Sequence, residues 1–163
     1  MNRKSTVSLP NDLDVVVIRD FRAPRTLVFD AWTKPELMSR WLLGPPGWTM
    51  PVCEMDVRAG GKFRWRWRDS AGAEFGFTGE FREVARPSRI VHTELFDPGD
   101  VGGDMGAECV VTTVFTEDKG VTTQTITIRY QSKADRDAAL STGMTDGMEQ
   151  SFGQLDALLA ADR

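Results

Sequence analysis

The one histidine of this chain, His92, stands two residues before Glu94 in the run Ile90–Phe96. Residues two apart on an extended strand share a face, so this imidazole and carboxylate could act as a general acid–base pair. The same pair could equally be a structural hydrogen bond, and alternation alone does not say which face of the strand looks inward. The two cysteines, Cys53 and Cys109, are far apart, with no CxxC and no histidine nearby. That spacing offers no metal site and fits reduced thiols. Phe63, Trp65 and Trp67 alternate with Lys62, Arg64, Arg66 and Arg68. Aromatics and cations on one surface would bind single-stranded nucleic acid, but strand alternation sends them to opposite faces. Phe75, Phe77 and Phe81 continue the aromatic face, and Gly79 leaves a gap in it that reads as a bulge or as floor space for a ligand. There is no nucleophile elbow, phosphate loop or dinucleotide fingerprint. No catalytic constellation beyond the candidates His92 and Glu94 is evident, and no cofactor or metal is expected.

The elements that must position these residues follow from periodicity. Val15–Phe21 reads as a first strand. Two short helices follow, one with Leu27, Val28, Ala31 and Trp32 on a face, the other with Leu37, Met38, Trp41 and Leu42; Gly44-Pro45-Pro46-Gly47 ends the second. Period two then marks strands at Val52–Val57, Lys62–Arg68, Glu74–Val84, Ile90–Phe96, Cys109–Thr116 and Val121–Tyr130, joined by short turns that make an antiparallel meander. The stretch Asp97–Glu108 carries four glycines and reads as the most mobile loop. Ser132 with Asp135 opens a final helix to Leu159. Its apolar stripe holds Gly143, Met144, Gly147, Met148, Ser151, Phe152, Leu155, Leu158 and Leu159. A helix-interior glycine costs about 1 kcal/mol relative to alanine, and methionine suits adaptable surfaces. The stretch Gly143–Phe152 therefore reads either as close helix–sheet packing through glycine or as a pocket wall.

At 163 residues and a formal net charge of −4, the chain has the size of one domain and no general affinity for nucleic acid or anionic membranes. Residues 1–12 read as a flexible N-terminus and 13–163 as a single domain. No segment has the length and apolarity of a signal peptide or bilayer span, so no membrane insertion is expected. A cytoplasmic monomer or homodimer is the resulting expectation. The fold class is α+β: a curved antiparallel sheet of about six to seven strands wrapped on the long C-terminal helix.

Several motifs, in order, resemble one family. They are Phe21-Arg22-Ala23-Pro24-Arg25 with Leu27-Val28-Phe29-Asp30-Ala31-Trp32-Thr33 and Pro35-Glu36-Leu37; Trp41 with Gly44-Pro45; Glu54, Asp56, Arg58, Gly60-Gly61 and Phe63; Phe77, Gly79, Phe81 and Glu83-Val84; Arg129-Tyr130, Ser132 and Arg136-Asp137; and Gly143-Met144, Gly147-Met148 and Leu155. The pattern is similar to bacterial relatives of the C-terminal domain of the activator of heat-shock protein 90 ATPase, within the START-like SRPBCC (polyketide cyclase/lipid-transport) superfamily. The resemblance implies a helix-grip fold with a hydrophobic cavity between sheet and last helix. Carried onto this chain, it draws the ligand pocket from Phe63, Trp65, Phe77, Phe81, Met144, Met148 and Phe152, with Trp41 near the opening. It carries no catalytic constellation. Met148 stands where many relatives have tryptophan.

Three functions compete on these grounds. The first is carriage or sensing of a small hydrophobic ligand such as a lipid, polyketide or aromatic. The second is a polyketide cyclase/dehydrase-like enzyme using His92 and Glu94. The third is a co-chaperone-like interaction domain.

Overall fold

The computed structural model describes residues 4–102 and 105–161. Eight antiparallel strands form one sheet: β1 (Thr6–Ser8), β2 (Asp14–Phe21), β3 (Thr49–Met55), β4 (Lys62–Arg68), β5 (Glu74–Ala85), β6 (Arg89–Asp97), β7 (Cys109–Asp118) and β8 (Val121–Arg129), in the order β1-β2-β8-β7-β6-β5-β4-β3. Between β2 and β3 lie α1 (Arg25–Thr33) and α2 (Pro35–Trp41), and α3 (Lys133–Leu140) and α4 (Met144–Ala161) follow β8. The α+β helix-grip architecture expected from the sequence is thus what the chain adopts. One strand more than expected is present, because Thr6–Ser8 pairs with Val16–Ile18 at the sheet edge. Part of the segment read as a flexible N-terminus is therefore ordered, and Ser5 donates two hydrogen bonds to Glu149 of α4.

The final helix is not continuous. Ser132 accepts from the Asp135 amide at 3.1 Å, as the capping motif requires, but α3 ends at Leu140 and the chain turns before α4. Gly143 sits in that turn at φ +81°, a left-handed conformation that glycine adopts without the clash other residues suffer. Gly143 is therefore a turn residue, not a helix-interior one. In the Asp97–Glu108 loop, residues 103–104 lie outside the described residues, while the start is tied down. Asp100 there accepts from the Glu74 amide at 3.0 Å, and Arg66 holds Asp97 at 3.1 Å.

Residues opposite one another in a ladder share a face, so the registers fix what points inward. Trp65 opposes Phe77, Phe77 opposes Phe96 and Phe81 opposes His92. On the other half of the sheet the inward set is Val15, Val17, Arg19 and Phe21 on β2, Gln124, Ile126 and Ile128 on β8, and Val111, Thr113 and Phe115 on β7, all buried. Irregularities at Thr49/Val52 and Phe81/Glu83 bend the β3–β5 side. The concave face so formed receives α1, α2 and α4, which pack on one another.

One charged side chain pins α4 across this face. Arg19 is 5% exposed, and its guanidinium reaches Asp156 at 2.8 Å and Glu149 at 3.3 Å while lying 5.0 Å from the Phe21 ring centroid. Glu149 and Asp156 are seven positions apart, two helical turns on one face. Burial works to raise the Glu149 carboxyl, but hydrogen bonds from Arg19 and Ser5 outweigh it and hold the group below its ordinary value.

Gly79 marks a close approach in the aromatic half. A Cβ there would fall 2.0 Å from the Thr93 carbonyl oxygen and 2.4 Å from the Phe63 ring. The gap in the aromatic face is therefore filled by Phe63 itself and is neither floor space for a ligand nor the position of the bulge.

Two outcomes are expected. Gly79→Ala overpacks this contact and lowers stability by about 3 kcal/mol in urea unfolding; wild-type stability would refute the close approach. A depressed carboxyl contributes stability that is complete above its unfolded value of about 4.3 and lost as pH falls through the lower folded value. The stability gap between wild type and Glu149→Gln should therefore be widest at neutral pH and shrink in acid, and a gap independent of pH would contradict the Arg19 pairing.

Candidate functional site

Strand β4 supplies the core of the site. Its inward residues Phe63, Trp65 and Trp67 are all buried, while Lys62, Arg64 and Arg68 are exposed on the other face. Arg66 is paired with Glu74 at 2.8 Å and also with Asp97, and Arg68 shares Glu74. The aromatic and basic sets are thus on opposite faces, and half of the cations are neutralised by carboxylates. A stacking platform for nucleic acid does not form.

His92 and Glu94 point inward, which the sequence left open. His92 is 4% exposed, and its ring lies 5.4 Å from Phe63, 5.7 Å from Trp65 and 6.1 Å from Phe81, centroid to centroid. His92 Nε2 meets Glu94 Oε2 at 2.9 Å. An ionised carboxylate can only accept, so Nε2 carries the hydrogen, and in the neutral ring Nδ1 is left as the acceptor. Neither His92 Nδ1 nor Trp65 Nε1 has a partner among the described residues, although both atoms are buried. Three other tryptophans do bond: Trp32 to Gln124 at 2.6 Å, Trp41 to the Ala31 carbonyl at 2.9 Å and Trp67 to the Leu42 carbonyl at 2.6 Å. An unmet buried polar atom costs about 1–3 kcal/mol, so two on neighbouring rings call for a reason. Gln124 Nε2 is also unmet, but it lies on β8 at the far side of the concave face.

Cys109 opposes Glu94 across β6 and β7. Burial, reinforced by the negative charge of Glu94, pushes its thiol up to about 12; burial and then Glu36 push Cys53 up to about 11. Both are neutral thiols at physiological pH and poor nucleophiles. Tyr130 lies beside this group. Its phenol is raised by burial and then by Cys109 and Glu94, and it donates to Met144 Sδ at 3.4 Å. No cluster of three or more metal-ligating side chains occurs among the described residues.

The eight pocket residues expected from the resemblance divide into two places. Phe63, Trp65 and Phe81 surround His92; Phe77 is half-buried beside Trp67 and Phe96; Met144 reaches Tyr130, and Met148, one turn further along α4, is half-buried. Trp41 and Phe152 lie elsewhere. Both are 0% exposed and stack with Trp32 and Phe21 in the core shared by α1, α2 and α4. Trp41 therefore stands at no opening, because its indole is the centre of the helical layer.

Packing changes along α4. Ser151, Phe152, Leu155, Leu158 and Leu159 are buried, whereas Met144, Gly147 and Met148 are only half-buried. Gly147 is on the stripe that continues to Ser151 and Leu155, yet a Cβ there would meet nothing within 4 Å. Its glycine does not serve close helix–sheet packing. Two hollows flank Phe63 at the other end of the aromatic cluster. One of about 370 Å³ is lined by Met55, Lys62 and Arg64 among others, and one of about 410 Å³ by Thr78, Gly79, Thr93 and Glu108 among others. Both are open, and neither is lined by α4.

Sequence reasoning missed Arg19, Tyr130 and Phe96. Arg19 was detectable: it occupies an inward position in the alternation Val15, Val17, Arg19, Phe21, where a cation demands a buried partner.

Similar structures have been solved from several bacteria. A Rhodobacter sphaeroides protein superposes with a TM-score of 0.89 at 29% identity, covering 98% of this chain and 99% of that one. A Nitrosomonas europaea protein gives a TM-score of 0.82 at 24% identity, covering 94% and 98%. The AHSA1 protein of Silicibacter pomeroyi gives a TM-score of 0.72 at 21% identity, covering 92% and 99%. Among curated proteins none matches. The sequence profile described as Activator of Hsp90 ATPase homolog 1-like protein matches residues 22–160, and with the eight-stranded sheet and its gripping helix this places the chain in the AHSA1-like family.

Proposed function

We propose that this protein binds a small hydrophobic molecule between the aromatic inner face of β4–β6 and the start of α4, as a carrier or sensor. The observation that carries this reading is the break in packing along α4. Beyond the grip of Arg19 on Glu149, the half-buried Met144, Gly147 and Met148 replace the sealed leucine stripe. Methionine side chains reshape at little cost, and the open space at Gly147 gives them room to move. Half-buried Phe75, Phe77 and Phe96 supply apolar surface of the kind that lines small-molecule sites. Membership of the AHSA1-like family supports a ligand-binding helix-grip domain. The free thiols Cys53 and Cys109 suit a reducing compartment, and among the described residues no helix is long and apolar enough to cross a membrane. A cytoplasmic role is the corresponding proposal.

A second reading is enzymatic, of the polyketide cyclase/dehydrase type. The buried His92–Glu94 pair at 2.9 Å favours it, because a carboxylate that orients an imidazole leaves Nδ1 as the atom that would take a proton. Among the described residues the groups beside the pair, Cys109 and Tyr130, are held in their neutral forms by burial, so binding is the preferred reading. A co-chaperone-like role has less support: the exposed large hydrophobics among the described residues are Val7, Leu9 and Ile18 at the β1–β2 edge and Met105 before β7, whereas a partner site takes a larger apolar patch.

The neutral fluorescent probe N-phenyl-1-naphthylamine should bind wild type saturably. Met148→Trp should fill the site and weaken that binding about tenfold, equivalent to about 1.4 kcal/mol, with the thermal transition unchanged. Unaltered probe affinity in a folded Met148→Trp protein would place the site elsewhere. Unfolding of the variant would show tight packing in place of a movable wall.

A further inference from the structure

We propose that the ligand is a neutral aromatic molecule bearing a hydroxyl group, and that Trp65 and His92 recognise that hydroxyl. This rests on the binding site proposed above and names the class of its occupant. Trp65 Nε1 can only donate a hydrogen bond and is buried without a partner among the described residues; in the neutral ring whose Nε2–H serves Glu94, His92 Nδ1 is an acceptor, and it too is buried without a partner. The two rings are neighbours, 5.7 Å apart between centroids. A hydroxyl is the small group that meets both needs at once, accepting from the indole and donating to the imidazole. A bare hydrocarbon meets neither, and an ether meets only the first.

The charge of the surroundings decides against an acid. Glu94 lies beside His92, whereas the four cations of β4 are on the outer face. Arg19, the inward cation of β2, is already shared by Glu149 and Asp156. A carboxylate ligand would thus face Glu94 with no positive group to receive it, and a buried charge without a partner is strongly disfavoured. The rings of Phe63 and Phe81 packed around His92 favour an aromatic body, because edge-to-face contacts add to simple burial.

The test compares four probes that share one ring system, by calorimetry or fluorescence at neutral pH: 1-naphthol, 1-methoxynaphthalene, naphthalene and 1-naphthoate. The expected order is 1-naphthol tightest, the methyl ether about tenfold weaker for the one bond it cannot make, naphthalene weaker again and 1-naphthoate weakest. Trp65→Phe keeps an aromatic ring and removes the donor; it should weaken 1-naphthol about tenfold more than it changes naphthalene. Equal binding of 1-naphthol and naphthalene would overturn the hydroxyl anchor while leaving the hydrophobic site intact. Tighter binding of 1-naphthoate would overturn the neutral class. Failure of all four probes to bind would remove the site itself, and the anchor with it.

Discussion

Arg19 is a charge placed where the strand alternation demands an apolar side chain. Desolvating a guanidinium costs several kcal/mol unless its hydrogen bonds are met, and on this concave face the groups that meet them are Glu149 and Asp156 of α4. The requirement fixes both the rotation of α4, since those carboxylates must face the sheet, and its position along its own axis, since both must reach one guanidinium. Ser5 binds Glu149 as well, so the edge strand β1 is tied into the same point. C-terminal to Glu149, Ser151, Phe152, Leu155, Leu158 and Leu159 are buried in the core, where Phe152 meets Phe21, Trp32 and Trp41. The turn of helix before Glu149 is outside that grip.

From this follows an uneven molecule. On the β2–β8–β7 side, buried aliphatic residues, Phe115 and the helical layer close the interior. On the β4–β6 side the inner face is aromatic and several of its rings are half-buried, and Met144, Gly147 and Met148 at the start of α4 are half-buried too. The unmet Trp65 and His92 atoms fall on this second side.

Much of this was legible in the sequence. Period two marked every long strand, and the capping pair Ser132 and Asp135 marked the start of α3. Strand β1 escaped because three residues are too few to show a period. The break before α4 escaped because Leu140 and Met144 stay in helical phase across it; the turn-forming Ser141, Thr142 and Gly143 were the signal against a continuous helix. The facing of His92 could not be read, because alternation sorts residues into two sets without saying which is inside. Only the register of β6 against β5, fixed by Phe77 with Phe96 and Phe81 with His92, decides it. Trp41 misled for a similar reason: a tryptophan after a short helix, before Gly44 and Pro45, has a plausible place at a rim, and its burial is set by contacts with Trp32 and Phe152 that are distant in sequence.

On the proposed function, a ligand enters beside Trp65 and leaves the sealed core untouched. The indole N–H resonances of the five tryptophans report on both places at once. Titration of isotope-labelled protein with N-phenyl-1-naphthylamine should shift the Trp65 indole signal and leave those of Trp41 and Trp32 where they are. A fixed Trp65 signal, with the shifts confined to Trp41 and Trp32, would contradict the account and place the site in the helical layer.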